Sequence, residues 1–393
     1  MRHYRIFAAA VAAAIIIPCT LKAQETKRLR DYGVVVGVMK TGENNAITDV
    51  KGVTVGQVTL VSDRDMHTGV TAIVPHQDNL FHKKVPAAVY VGNGFGKLAG
   101  VTQIRELGNI ETPIVLTNTL SVAEGIAGVV EYSIERNPDC HSVNAVVGET
   151  NDATLNNIRA RKVTKEDVKK AIETAKGGPV EEGCVGAGTG TRAFGYKAGI
   201  GTSSRVLPAD MGGYTVGVLV QANFGGVLQI AGTPVGQLLG NYDFSKSIAK
   251  DAALNDVDGS CMIVVITDAP VDARNLERMA KRAIMGLAQT GGIASNGSGD
   301  YVIALSVCPE NLIDSDSKFY QPKLLHNDDM SGLFLATIEA TSEAIWNSLF
   351  AAEDVTDGFK GHSSKAIDKE KVAELILKAQ KAVDLKPTYG NAK

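Results

Sequence analysis

Aromatic residues, net charge and long apolar runs are all scarce in this chain. Phe, Tyr and Trp make up 5% of its 393 residues, so a core drawn from the 44% of apolar residues is largely aliphatic. Charged residues amount to 21% and balance to a formal −3, which provides neither a basic surface for nucleic acid nor an acidic tail. Five cysteines (Cys19, Cys140, Cys184, Cys261, Cys308) lie scattered without CxxC spacing, and the 7 histidines form no HExxH. Neither a zinc site nor a metal enzyme is therefore indicated. The four cysteines beyond the N-terminus leave room for one disulfide, although buried thiols are the commoner outcome. No G-x-S-x-G elbow anchors a catalytic triad, and no fixed-period repeat runs along the chain.

The apolar stretch "IFAAAVAAAIIIP" near the N-terminus is too short to span a bilayer. It follows Arg2, His3 and Arg5 and precedes Ala23 in "LKAQE". That layout predicts a secretory signal peptide over residues 1–23, which would remove Cys19 with it. The mature chain, 24–393, is expected to be exported, to the periplasm in a Gram-negative source, with no remaining membrane anchor.

What is abundant is glycine, 41 residues, which points to tight turns and closely packed strands. From "RLRDYGVVVGVMKTGENNAITDVKGVTVGQVTL" through "AAVYVGNG" the chain alternates short β-rich runs with Gly, Asn and Asp turns. "TLSVAEGIAGVVEYSIERNPD" predicts a helix opened by a Ser121/Glu124 capping box and closed by Pro138. "VTKEDVKKAIETAKGGP", "DARNLERMAKRAIMGLAQTGG" and "DKEKVAELILKAQKAV" read as amphipathic helices, the second with Asp272 as its N-cap. "SVNAVVGETND", "YTVGVLVQANFG" and "DYVIALSV" read as strands. The order is mixed, without strict βαβ alternation, and favours a layered α+β fold. "GNGFGK" and "GAGTGT" look like phosphate cradles, but neither has the spacing and following helix of one, so both read as tight turns.

One strand carries a chemical possibility. "DVDGSCMIVVITDAP" places Ser260 at the mouth of an apolar run, directly after Gly259. A serine hydroxyl needs a base to take its proton. If the Gly259–Ser260 bond were cut, Ser260 would gain an α-amine of pKa about 7.7–8.0 on the same residue as the hydroxyl. Nucleophile and base would then be assembled together. A glycine in front allows a strained backbone and leaves the attacked carbonyl uncrowded. Cys261, next along the strand, should point to the opposite face and serve packing.

This stretch has company in "NAITDVKGVTVG", "TGVTAIVP", "GNGFGKLAG", "GETNDATLNNI", "GAGTGTRAFGYKAGIGTSSR", "VGVLVQANFGG", "SNGSGD" and "ATSEAIWNSL". In that order, over nearly the whole mature chain, they resemble the DmpA/β-aminopeptidase family of N-terminal-serine hydrolases, peptidase family S58. The resemblance implies a four-layer αββα sandwich, similar to N-terminal-nucleophile hydrolases but differently connected. It implies a precursor that cuts itself between Gly259 and Ser260 into an α chain, 24–259, and a β chain, 260–393.

By the same resemblance Ser260 forms the acyl-enzyme and Asn223 in "QANFG" donates to the oxyanion. Ser298 and Asp300 in "SNGSGD" orient and polarise the nucleophile, and Glu149 in "GETND" binds the free ammonium of a short peptide or amino-acid amide. No cofactor is implied, and assembly is expected as an oligomer of αβ units, often a tetramer. Ala153 stands where some β-peptide-cleaving relatives carry an aromatic side chain, so the choice among L-α, D-α and β-amino substrates stays open. Two alternatives remain beside the aminopeptidase. One is an acyltransferase like the ornithine acetyltransferases, against which Ser260 and the export signal count. The other is a binding protein of this fold that never matures.

Overall fold

A computed structural model of the chain describes residues 27–62, 64–249 and 258–388. The expected signal peptide lies outside these residues, as does the 250–257 part of the polar lead-in to Ser260. In chain order the strands are Thr54–Ser62 (β1), Met66–Val74 (β2), Lys83–Gly94 (β3), Leu98–Ala99 (β4), Asn109–Ile110 (β5), Ile114–Asn118 (β6), Val146–Thr150 (β7), Arg192–Ala193 (β8), Tyr196–Lys197 (β9), Ile200–Val206 (β10), Thr215–Asn223 (β11), Asp258–Thr267 (β12), Gly297–Ser306 (β13) and Ile313–Asp314 (β14). The α-helices are Val101–Leu107 (α1), Val122–Arg136 (α2), Lys165–Glu173 (α3), Val235–Leu239 (α4), Ser245–Ala249 (α5), Ala273–Gln289 (α6), Ser331–Phe350 (α7) and Lys369–Ala382 (α8).

The strands make two large mixed sheets. One runs β1-β2-β6-β7-β4, the other β10-β11-β12-β13-β3-β14 with β5 beside β3. Each holds one parallel pair, β6/β7 and β12/β13, bridged by α2 and α6 respectively, as a parallel pair requires a long crossover. Helices α2 and α3 cover the first sheet, and α6 and α7 the second. The sheets face each other between these helix layers, which is the expected αββα order.

Strand β12 shows how the two-residue period builds this sandwich. Met262, Val264 and Ile266 join a core with Leu116 and other residues of the first sheet. Cys261, Ile263 and Val265 join Leu276, Met279, Leu333 and Ala336 under the helices. Cys261 therefore packs, fully buried, on the face away from the first sheet. Residues of both parities are apolar because the strand is covered on both sides.

Two local readings need correction: "RLRDYGVVVGVMKTGENNAITDVKGV", read as β-rich, forms two 3-10 turns, Leu29–Tyr32 and Ile47–Asp49, and no strand, and the Ser121 capping box does not form. Helix α2 begins at Val122 as expected, but Ser121 makes no side-chain cap and its hydroxyl is buried without a partner among the described residues. Glu124 pairs with Arg161 instead of closing a box. Helix α7, twenty residues long, has no counterpart among the amphipathic segments, because it is apolar and buried around most of its circumference. The α3 start does carry a reciprocal box, Thr164 with Asp167, and Asp272 caps α6 through the Asn275 N–H.

Candidate active site

Ser260 lies in β12 between two partners. Asn223 faces it across the antiparallel pair with β11, and Gly299 beside it in the parallel pair with β13. The alternation along β12 puts Ser260 on the same side as Met262, toward the first sheet. Its side chain is 4% exposed, and its Oγ donates to the Gly259 carbonyl oxygen immediately before it. The hydroxyl thus lies along the amide that would have to be cut.

Asn223 ends β11. Its Oδ1 accepts the Arg192 N–H at 3.1 Å, which fixes the amide plane, and its Nδ2 makes no hydrogen bond among the described residues. A donor held in this way opposite a hydroxyl is suited to receiving negative charge on a carbonyl oxygen attacked by that hydroxyl.

Gly259 is extended, within β12, and is closely approached by its neighbours. A Cβ would stand 3.1 Å from Ser298 Oγ and 3.2 Å from Phe224 Cα. A side chain at this position would press on these neighbours by a few tenths of an ångström, and no left-handed backbone is involved.

Ser298 and Asp300 pair with Gly259 and Cys261 in register. They share the face of those residues, behind Ser260, and address the 259–260 peptide rather than the Ser260 hydroxyl. Ser298 Oγ and both Asp300 carboxylate oxygens are buried and without a hydrogen-bond partner among the described residues. Burial pushes the Asp300 carboxyl up to about 6, with the nearby Ser298 hydroxyl and Cys261 N–H opposing the rise. A register shift between β13 and β3 falls directly after Asp300, a local irregularity of the kind that re-aims side chains.

Glu149 reaches this region from the other sheet. Gly148 beside it lies under the Met262 side chain; a Cβ there would be 2.4 Å from Met262 Cε. The Glu149 carboxylate is 2% exposed. Oε1 accepts the Lys97 N–H at 3.1 Å and has the Lys97 ammonium at 3.7 Å, while Oε2 accepts from Thr119 Oγ1. Gly96 joins the two parts, because a Cβ on it would lie 3.2 Å from Glu149 Oε1 and its Cα lies 3.2 Å from the Cβ position of Gly299. Ser260 and Asn223 thus pair directly, Ser298 and Asp300 lie on the neighbouring strand behind Ser260, and Glu149 approaches from the other sheet through Gly96. Ala153 lies in the turn after β7, its N–H donating to Asn151 Oδ1 at 2.9 Å.

Other contributors were not singled out by sequence patterning. The Asn93 side-chain amide is shared among the carbonyls of Ser295, Asn296 and Ser298, and the Phe95 N–H donates to Ser298 O at 3.1 Å. The stretch "GNGFGK" is a turn only from Phe95 onward: Gly92, Asn93 and Gly94 end strand β3 and clamp the segment carrying Ser298. Tyr301 is held through its hydroxyl to Gly94 O, and burial, then Glu149 and Asp300, raise its pKa. Among the described residues no cluster of three or more His, Cys, Asp or Glu is arranged to hold a metal.

Comparison with known proteins finds relatives over nearly the whole chain. The family model described as peptidase family S58 matches residues 45–364. A β-peptidyl aminopeptidase, BapA of Sphingosinicella microcystinivorans, is 37% identical over 396 residues, spanning 96% of this chain and 98% of its own. The solved β-aminopeptidase of a Burkholderia species is 37% identical with a TM-score of 0.81, covering 92% of this chain and 100% of its own. The L-aminopeptidase D-Ala-esterase/amidase of Ochrobactrum anthropi, described as a prototype of the serine aminopeptidases and a variant of the Ntn hydrolase fold, is 34% identical. Its TM-score is 0.80, over 90% of this chain and 98% of its own.

Proposed function

This chain belongs to peptidase family S58 and is a serine aminopeptidase of Ntn-type fold, and from that premise we propose that it is exported and cuts itself before Ser260. We further propose that it then releases N-terminal residues from short peptides, amides or esters, working as an oligomer of its αβ units.

In self-cleavage Ser260 Oγ attacks the Gly259 carbonyl carbon through a five-membered ring. The C–N bond breaks, the Gly259 acyl group moves to Oγ as an ester, and the Oγ proton ends on the Ser260 nitrogen, which becomes a free amine. Water then hydrolyses the ester to the Gly259 carboxylate and the Ser260 hydroxyl. In turnover the new α-amine takes the Oγ proton as Oγ attacks the substrate's first amide. Asn223 Nδ2 donates to the oxyanion, an interaction worth roughly 3 kcal/mol. The amine returns its proton to the leaving nitrogen, and water resolves the acyl-enzyme. Ser298 and Asp300, which pair with Gly259 and Cys261, are well situated to hold that amine. Glu149 receives the substrate ammonium by charge-assisted hydrogen bonding.

The observation that carries this reading is the Ser260 hydroxyl hydrogen-bonded to the carbonyl of the residue before it, opposite Asn223. The two named β-aminopeptidase relatives support β-amino substrates, and the small Ala153 supports room for α-substituents of either hand. The test is turnover of p-nitroanilides of L-, D- and β-alanine, each with its N-acetyl counterpart. Release from the free amines and none from the acetylated forms is expected. Equal release from both would overturn the assignment of Glu149 and the aminopeptidase substrate class.

A further inference from the structure

Lys197 is fully buried, an uncommon state for a lysine. It closes the β8/β9 hairpin, pairing with Arg192, with Phe194 and Gly195 at positive φ in the turn. Its ammonium donates to three backbone carbonyls: Gly188 at 3.1 Å, Thr191 at 2.9 Å, and Ala198. Three acceptors match the three N–H donors of the charged form, whereas a neutral amine has two. Burial acts to lower the Lys197 pKa, with Cys184 opposing it.

The Thr191 carbonyl is one end of a peptide unit whose other end is the Arg192 N–H. That N–H donates to Asn223 Oδ1 at 3.1 Å. The chain of contacts therefore runs from the Lys197 ammonium through a single amide to the side-chain amide of Asn223, which stands opposite Ser260 in register. A cation on the carbonyl oxygen of an amide strengthens its N–H as a donor, and the effect continues along hydrogen-bonded amides in a low-dielectric interior. The loop supplying these carbonyls has little freedom to drift. A Cβ on Gly188 would lie 2.3 Å from Ile200 N, and one on Gly190 would lie 2.2 Å from His67 O.

We infer that Lys197 is a positioning residue for the acyl-transfer step. Its ammonium orients and polarises the Thr191–Arg192 peptide, which holds the Asn223 amide ready for the oxyanion. This rests on the proposed roles of Ser260 and Asn223.

The test uses the matured full-length enzyme and Lys197→Met. Two probes are compared, alaninal, whose adduct with a serine hydroxyl bears an oxyanion, and alaninol, which forms none. Lys197→Met is expected to lose on the order of tenfold to a hundredfold in both kcat on alanine p-nitroanilide and alaninal affinity, while KM and alaninol affinity change by less than about threefold. Equal weakening of both probes, or of neither, overturns the relay. Wild type that does not prefer alaninal over alaninol overturns the Ser260–Asn223 reading on which it stands. If Lys197→Met does not fold, Lys197→Gln is measured in the same way. Failure of both to fold overturns the relay in favour of a purely structural lysine.

Discussion

Asn223 stands opposite Ser260 in the β11/β12 register, with its side-chain oxygen tied to the Arg192 N–H. The pairing sets where the amide N–H can act, because register fixes cross-strand neighbours. Asn223→Ala is expected to reduce kcat by about a hundredfold to a thousandfold with KM within about threefold. Steady-state kinetics on alanine p-nitroanilide, with intact mass to confirm the same chain composition, checks this. An unchanged kcat would remove Asn223 from the oxyanion site.

Glu149 and Lys97 predict opposite effects. Glu149→Gln removes the charge that meets the substrate ammonium, and kcat/KM should fall roughly tenfold to a hundredfold. The Lys97 ammonium, 55% exposed at 3.7 Å from Oε1, competes for the same carboxylate. Lys97→Met should lower KM by about twofold to fivefold, as expected for the loss of a weak exposed pair. Parallel changes in the two variants would contradict a shared cation site.

Asp300 gives the uncut chain a pH signature. Its carboxyl is raised to about 6 by burial, against an unfolded value near 3.8. The folded chain then binds more protons than the unfolded chain between these values, so stability falls as pH rises from about 4 to about 6 and is flat above. In Ser260→Ala, which stays uncut under the proposed mechanism, adding Asp300→Asn should raise stability at pH 8 by on the order of 3 kcal/mol relative to pH 4. Denaturant titrations at the two pH values measure it.

An ion network spans the proposed cut. Arg205 bonds Glu339 at 2.8 Å and Glu343 at 2.7 Å, and Arg30 bonds Glu343 at 2.7 Å. Arg30 and Arg205 precede residue 260, and both glutamates follow it on α7. Burial alone would raise the Glu343 pKa, but Arg205 and Arg30 outweigh it and hold the carboxyl at about 2. A depressed carboxylate contributes stability above its unfolded pKa, and that contribution is lost as pH falls from about 4.3 through about 2. The two fragments should therefore co-elute at pH 5–8 and separate only in strong acid or denaturant. Glu343→Gln, which leaves Arg205 underpaired, should cost about 3–5 kcal/mol by equilibrium unfolding.

The strands from β1 onward and most helices are legible because their periods are simple, as in β11 and in α6 with its Asp272 cap, whereas the apolar run before β1 forms no strand. Helix α7 is not legible, since burial on nearly all sides erases the amphipathic stripe. The false capping box at Ser121 shows the limit of a spacing rule: Glu124 finds Arg161 across space. No spacing joins Glu149, Asn223, Ser260 and Ser298; strand register and the Gly148–Met262 contact between sheets do so. These positions were recognised through ordered motif resemblance. Asn93 and Lys197 escape because they sit at strand ends beside glycine-rich loops, and their chemistry emerges only when backbone carbonyls are placed around them. Gly259 is expected both to allow a strained backbone and to leave the carbonyl uncrowded; its strand is extended, and a Cβ there would stand 3.1 Å from Ser298 Oγ and 3.2 Å from Phe224 Cα.

The central claim is that Ser260 cuts its own chain and then works as an N-terminal nucleophile. Intact mass and N-terminal sequencing of purified wild type and Ser260→Ala test it most directly. The account predicts two fragments from wild type, one beginning at Ser260, and a single inactive chain from Ser260→Ala. A wild-type chain that stays whole and still hydrolyses amino-acid p-nitroanilides would contradict it.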